Sequence, residues 1–498
     1  TLNYRKKIGV DHNINVLDGY NQETSYYRQL GGTRVTFPAT SLNELNAGSA
    51  TGQTTRGTAS EWAIQSFFGR FNYDFRSKYL FEVNARYDGT SRLHPDTRWG
   101  FFPSVSAGWR MSEESFMQNL GWLDNLKLRA SWGQLGKQNV GTYPYQHVLS
   151  SSQYPFGSLE PGARLTRLVD QTLKWETTSV TDFGLDASIK NGLLSLTVDW
   201  YNKVTNDILY SIPVPASVGL SAPTVNGGKM KNTGWDFELG HANQIGELRY
   251  DVTGNISFFK NEVIDIISPT LSTNTVQEGI PYGSWYMVEW IGIFQTQDEI
   301  DEGPKHQFNP KPGDLKFRDA NNDGVINAND RVVVDGYYPD FYYGLNANVY
   351  WKNFDFTIFF QGVQGIKNYS TNWGITPYTQ GSPPTMDLVK NHWTPENKSQ
   401  THPAMYRSGY NPVTGTTSTY WLFDASYLRL KNLRLGYTLP ASFAQKIGMK
   451  EAQVYFSGDN VLTFTKYPGS DPERTSQGAA LSIYPNLRTL AFGIKVKL

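Results

Sequence analysis

The sequence predicts an all-β chain, a transmembrane antiparallel β-barrel with about fourteen strands and long loops on one side. Three observations carry this. Apolar residues recur with a period of two along most of the chain. Short and very long connections alternate between the periodic segments. No apolar run reaches the roughly 18 residues a membrane-spanning helix needs.

The period is explicit in KYLFEVNARYD, where Tyr79, Phe81, Val83, Ala85 and Tyr87 alternate with Leu80, Glu82, Asn84, Arg86 and Asp88. LLSLTVDWY repeats it, with Leu194, Leu196, Val198 and Trp200 in one phase and Ser195, Thr197, Asp199 and Tyr201 in the other. The same alternation runs through 101–110, 126–133, 183–190, 250–259, 343–351 and 354–360. It places apolar side chains on one face and polar ones on the other. Alone, it serves a water-soluble sandwich or propeller as well as a barrel with its apolar face toward lipid.

The connections favour the barrel. Arg76 to Lys78, Asn191–Gly192 and Lys352–Asn353 are tight turns, whereas 135–173, 211–229, 261–339, 363–423 and 460–486 are long. Outer-membrane barrels have short periplasmic turns and long extracellular loops. Strands are expected to start near Ile8, Ile64, Tyr79, Phe101, Leu126, Trp175, Leu193, Trp235, Leu248, Phe341, Phe354, Leu428, Val454 and Leu487. All short turns then share one side with the C-terminus, provided that 282–294 is a strand-like excursion within a long loop. In YLRLKNLRLGY the apolar phase flips near Lys431–Asn432, which is either a β-bulge or a junction of two strands. The terminal RTLAFGIKVKL is amphipathic and ends on Leu498, where a barrel-assembly signal usually has Phe.

Composition narrows the function classes. Lys+Arg and Asp+Glu are both 45, so no basic excess points to nucleic acid. The absence of cysteine excludes disulfides, thiolate zinc sites and cysteine catalysis. The 30 Tyr, 27 Phe and 46 Gly suit strands and turns. The chain opens TLNYRKKIGV, without Met or an apolar leader, and is read as a processed chain or part of a longer one. Without GxSxG, HExxH or Walker A patterns, no enzyme is expected. His392 and His402 share a connection with Asp387 and Glu396 and read mainly as loop solvation.

One motif carries metal chemistry. DANNDGVINAND places Asp319, Asn321, Asp323, the Val325 carbonyl, Asn327 and Asp330 in the ligand order of an EF-hand calcium loop, with Gly324 at the sharp turn. Its flanks, PGDLKFR and RVVVDGYYPD, are not helical, and the motif occurs once, so a sensor is not expected. One calcium ion stapling a long loop with little core of its own is one reading; an ion-free Asx/Gly turn is the other. Loop aromatics offer faces on which sugar rings stack. Trp285, Tyr286, Trp373, Trp393 and Tyr410 are the substrate-facing candidates, beside Tyr337, Tyr338, Tyr378 and Trp421. The competing role for each is an interfacial girdle or packing between loops.

With these segments in view, the chain resembles the C-terminal part of a SusC/RagA-type TonB-dependent outer-membrane transporter of the Bacteroidetes. The blocks FFPSVSAGWRMSEESFM, LKLRASWGQLG, PGDLKFRDANNDGVINANDRVVV, YYGLNANVYWKNFDFTIFFQGVQG, ASYLRLKNLRLGYTLP and VYFSGDNVLTFTKYPGSDPE carry the resemblance, in the family's order. It implies that 1–498 is the C-terminal portion of one barrel domain of about twenty-two strands. It also implies a plug and an N-terminal extension outside this chain, the rest of the barrel as partner, and contact with TonB through that N-terminal part. The implied function is import of glycans or peptides beneath a SusD-like surface lipoprotein, in a dimer of importer–lipoprotein pairs, with loops extracellular and the C-terminus periplasmic. A passive porin and a soluble calcium-dependent carbohydrate-binding β-protein are the alternatives.

Overall fold

The computed structural model describes residues 1–370, 384–406, 413, 415–446, 448–474 and 484–497. Trp373, Tyr378, Tyr410 and Leu498 lie outside the described residues.

Alternating sequences can bury one face only by pairing edge to edge, and the chain does this fourteen times in a row, across fifteen strands. The strands are β1 (Leu2–Ile8), β2 (His12–Val35), β3 (Ser49–Phe75), β4 (Tyr79–Thr90), β5 (Trp99–Arg110), β6 (Leu123–Lys137), β7 (Glu176–Ile189), β8 (Leu194–Asn206), β9 (Gly228–Ile245), β10 (Leu248–Ile266), β11 (Phe341–Trp351), β12 (Phe354–Gln364), β13 (Tyr427–Thr438), β14 (Glu451–Thr465) and β15 (Thr489–Lys497). They form one antiparallel meander in sequence order. The strand expected near Ile8 is two strands, folded at Gly9, whose φ of 62° is open to a residue without Cβ. That accounts for fifteen against the expected fourteen.

Register confirms the face assignment. Phe71, Val83, Val105 and Trp132 are successive cross-strand partners, and so are Leu345, Phe360, Leu430 and Leu462. On the opposite face Asn72, Glu82, Ser106, Ser131 and Asp182 follow one another. The apolar face is exposed: Phe101 keeps 58 % of its surface, Phe183 54 % and Phe492 86 %. Aromatic rings edge this band. Phe75 stacks on Tyr79, and Trp351 on Phe354, beside the tight turns. Tyr87 stacks on Trp99 toward the long connections. From Tyr79 to Tyr87 is about 26 Å along the strand, or about 20 Å along the barrel axis at a tilt of roughly 40°, close to the height of a lipid-facing band.

The turns behave as the sequence requires. Arg76 and Ser77, and the expected Asn191 and Gly192, all adopt positive φ at the centres of tight turns, closed by the Lys78 N–H on the Phe75 carbonyl and the Leu193 N–H on the Lys190 carbonyl. The long connections all leave the other side. The segment 282–294 is the expected excursion: Ser284–Val288 and Trp290–Ile293 join small ladders outside the main sheet. The phase flip in β13 is a bulge, since the register slips between Leu430 and Asn432 and keeps Leu428, Leu430, Leu433 and Leu435 on the apolar face.

Among the described residues β1 and β15 each pair on one side only, so the sheet has two open edges. No described helix is long and apolar enough to cross a membrane.

The face assignment makes a direct prediction. Leu345→Arg, at the middle of β11 on the apolar face, should cost about 2–4 kcal/mol of membrane stability. Ser106→Lys on the polar face should be tolerated. Heat-modifiable gel mobility of the full-length protein in outer-membrane fractions checks both. Equal loss of folded protein from the two variants would contradict the assignment.

Candidate functional site

The connections between β10 and β11 and between β12 and β13 are too long to be simple turns, and they fold together. Ser284–Val288 pairs with Arg331–Asp335, and Trp290–Ile293 with Leu315–Phe317. The Val288 N–H donates to the Thr417 carbonyl at 3.1 Å and the Ala404 N–H to the Gly313 carbonyl at 2.8 Å, stitching one connection to the other. Two apolar cores result. One holds Val288, Ile293, Leu315, Phe317, Ile326 and Trp393; the other holds Trp285, Met287, Tyr369 and Trp421. The expectation of a loop with little core is therefore corrected: the connections build a lobe with its own interior.

That interior takes two of the substrate-facing candidates. Trp285 retains 2 % of its surface and Trp393 9 %. The Trp393 indole donates to Gln295 Oε1 at 2.9 Å. As placed, neither ring offers a face to a ligand, and packing between loops describes both. Tyr286 is half-buried in the same ladder as Trp285. Trp373 and Tyr410, the other two candidates, lie outside the described residues.

The acidic turn sits at the edge of the first core. Val325–Ile326 pairs in parallel with Lys305–His306, and Ile326 is buried. Gly324 has φ of 80°, a conformation for which glycine is suited. The turn is closed by its own carboxylates. Asp319 accepts the N–H groups of Asp323 and Gly324 at 3.3 and 2.8 Å. Asp323 accepts that of Val325 at 2.8 Å. Asp330, fully buried, accepts those of Ala320 and Asn327 at 3.0 and 2.7 Å. The donor set is all oxygen and suits a hard cation. Yet among the described residues no three Asp, Glu or His side chains converge as metal ligands. His402 pairs with Asp387 at 3.1 Å, while His392 Nδ1 meets backbone carbonyls of its own helix.

Where the lobe meets the barrel, a cavity of about 660 Å³ opens among Thr273, Asn274, Tyr282, Tyr337, Tyr338 and Tyr369. Tyr338 packs edge-on to Phe259, which is on the polar face of β10, so the cavity lies at the mouth of the lumen. Burial, followed by the neighbouring phenols of Tyr282, Tyr337 and Tyr342, pushes the Tyr338 hydroxyl above the ordinary tyrosine value and favours its neutral form. Of these lining residues only Tyr337 and Tyr338 were singled out by the sequence; Tyr282, Tyr369, Thr273 and Asn274 are ordinary loop residues until the chain folds.

A second arrangement was invisible in the sequence. Arg429, on the polar face of β13, is buried and bridges Asp471 at 2.6 Å and Glu473. Lys431, the residue added by the bulge, reaches Glu473 at 2.8 Å. Asp471 also accepts the backbone N–H groups of Glu473 and Asn486. Burial pushes the Asp471 carboxyl up, but Arg429 and these N–H donors outweigh it and hold the carboxyl below the usual range. A charge in strand phase opposite a lipid-facing residue needs such a counter-ion. This cluster ties the connection between β14 and β15 to the barrel wall.

Removing Arg429 should strand the buried Asp471 carboxylate, with Glu473 left to Lys431. Arg429→Ala is expected to destabilise by about 3–5 kcal/mol and to open the connection before β15 to protease. A folded-state pKa below the unfolded value means that the Asp471 contribution is complete above about pH 3.9. It is lost as pH falls through the folded value. Thermal melts and limited proteolysis of the full-length protein at pH 7 and pH 3 check both points.

Comparison with known proteins places this architecture. The family model described as TonB dependent receptor-like, beta-barrel, matches residues 1–461. TonB-dependent receptor P26 of Formosa agariphila is 32 % identical, covering 100 % of this chain and 52 % of that protein. TonB-dependent receptor SusC of Bacteroides thetaiotaomicron is 31 % identical over 88 % of this chain and 44 % of its own. A solved structure of the RagAB peptide transporter superposes with a TM-score of 0.85 at 27 % identity, over 99 % of this chain and 54 % of that one. The chain thus spans about half the length of the curated relatives it matches. With 461 of its residues under the family model and its sheet shared with a solved relative, the chain belongs to the TonB-dependent receptor-like β-barrel family of the outer membrane, as a barrel of the SusC/RagA type.

Proposed function

We propose that this chain is the C-terminal barrel portion of a TonB-dependent nutrient importer. It would take up oligosaccharides or peptides, with its long connections extracellular and its C-terminus periplasmic. The observation that carries this reading is the continuous sheet itself, apolar on one face and polar on the other, with a folded lobe on the long-connection side. Its two open edges support closure by further strands, because unpaired backbone groups are not tolerated in lipid. A plug within the lumen and contact with TonB belong to that remaining part. The similarity to SusC and to RagAB supports a SusD-like lipoprotein seated over the lobe. A dimer of such pairs is part of the same proposal.

Uptake separates an importer from a passive porin. In intact cells, accumulation of fluorescent maltoheptaose and of a labelled decapeptide mixture should include at least one substrate that depends on this protein. That uptake should stop when the inner-membrane proton gradient is collapsed. Uptake that continues unchanged without the gradient would assign a pore.

The turn at 319–330 carries a separate proposal: one calcium ion held by Asp319, Asn321, Asp323, the Val325 carbonyl, Asn327 and Asp330. Ligand order and all-oxygen chemistry support it. The backbone hydrogen bonds of Asp319 and Asp330 show that the turn also closes by itself. Calcium should raise the melting temperature of the full-length protein, and Asp330→Ala should remove that rise. A melting temperature indifferent to calcium and chelator would leave the turn to its hydrogen bonds alone.

A further inference from the structure

The cavity at the lumen mouth differs in chemistry from the recesses deeper on the barrel wall. One of those is lined by Lys6, Asp74, Glu82, Lys127 and Arg129, another by Arg70, Arg86 and Asp88. Among the described residues the mouth cavity has no Asp, Glu, Lys or Arg in its lining. Its volume of about 660 Å³ falls among small-ligand sites, which span about 300–1,000 Å³.

Some of its polar groups are already bonded, as the Ser272 hydroxyl is to the Asn274 carbonyl at 2.7 Å, but others have no described partner. The hydroxyls of Thr273, Tyr282, Tyr337 and Tyr338 make no hydrogen bond to any described residue. Asn274 donates through Nδ2 to the Gly283 carbonyl at 3.0 Å, and its side-chain oxygen has no described partner. Trp285, whose ring packs on Tyr337 and Tyr369, carries a buried indole N–H with no partner. The rings are fixed rather than loose: Tyr338 is wedged between Phe259 and Tyr337, at centroid distances of 5.4 and 5.6 Å. Tyr282 is half exposed and its ring is accessible.

We propose that this cavity binds an uncharged oligosaccharide, with the Tyr282 ring as a stacking platform and the Tyr338 hydroxyl and Asn274 oxygen as hydrogen-bond partners. A charge on the ligand would be desolvated here with no opposite charge among the described residues to meet it, at a cost of several kcal/mol. Uronate, sulfated and terminally charged peptide ligands are disfavoured on that ground. Hydroxyl groups, each a donor and an acceptor, match the unpartnered phenols and threonine. Pyranose C–H edges match the tyrosine faces. The proposal rests on the importer reading and specifies the substrate class of its mouth.

The test uses the full-length protein with its natural lipoprotein partner in detergent. It is probed with neutral glucan, mannan, xylan and galactan oligosaccharides, uronate and sulfated oligosaccharides, and peptides of five to twelve residues. At least one neutral oligosaccharide should bind. Tyr282→Ala should weaken it about tenfold and Tyr338→Phe about threefold to tenfold. Both variants should keep the wild-type melting temperature, since Tyr282 is exposed and the Tyr338 hydroxyl bonds nothing described. Binding confined to charged glycans or peptides, neutral binding unchanged in both variants, or no binding at all would each overturn the proposal. Proton-gradient-dependent uptake of whichever compound does bind tells the two readings apart. If a charged glycan or a peptide is imported, the importer stands and only the mouth assignment falls.

Discussion

Every backbone N–H and C=O that enters lipid has to be paired within the protein, and that constraint organises this chain. It forces the spanning segments into one uninterrupted ladder of fifteen strands, each bonded to its neighbour in sequence. It confines irregular backbone to the two ends of the strands. It also makes the two free edges, at β1 and β15, incompatible with lipid as they stand. A ladder with period-two side chains has only two faces to assign. One is apolar through Val83, Leu345 and Phe456, and the other is polar through Glu82, Asp182 and Arg434. Side chains with charge are therefore displaced to the lumen, where they have to find partners. Arg129 with Asp186, and Arg429 with Asp471, are two outcomes.

The fold was legible because this constraint acts residue by residue. Tyr79, Phe81 and Val83 announce their face without help from anything distant. The one miscounted strand failed for a local reason: β1 is seven residues long and folds back at Gly9, so no long connection marks its end. The bulge in β13 was legible as a phase flip because both halves had to keep leucine toward lipid. The loop lobe was not legible, because its cores are made by pairs far apart in the chain. Trp393 finds its hydrogen-bond partner at Gln295, and Val288 pairs with the segment at 417–418. A tryptophan in a long polar connection reads as exposed until a second connection is known to cover it. Trp285 and Trp393 are both of this kind.

The acidic turn shows the same limit from the other direction. Its motif was conspicuous in the sequence, and its residues do come together. What holds them is visible only in the fold: Asp319 and Asp330 each accept two backbone N–H groups, and Asp330 is fully buried. A buried carboxylate so bonded already has its charge offset by peptide dipoles. The same oxygens are the ones a cation would share. Ion binding and turn closure therefore draw on one set of lone pairs, and either can stabilise the ladder at Val325–Ile326 that anchors the turn to the lobe's core.

The lobe's internal packing bears on how the mouth can work. A cavity whose walls were loose loops would lose much of its affinity to ordering them on each binding event. Here Tyr369 and Trp285 belong to an apolar core, and Tyr338 is wedged between Phe259 on the barrel wall and Tyr337. The polar atoms that face inward are thus carried on rings that are already fixed. Asn274 is held by its own bond to Gly283, which leaves its oxygen directed by the backbone rather than by solvent. The Trp285 indole N–H, buried behind these rings with no described partner, is the costly group, at about 1–3 kcal/mol; the phenols and Asn274 stay open to water, so a ligand there exchanges solvent bonds for its own. The apolar face of the sheet fixes where this chain resides. The accessible hydroxyls at the lumen mouth are a chemistry that the sheet alone does not dictate.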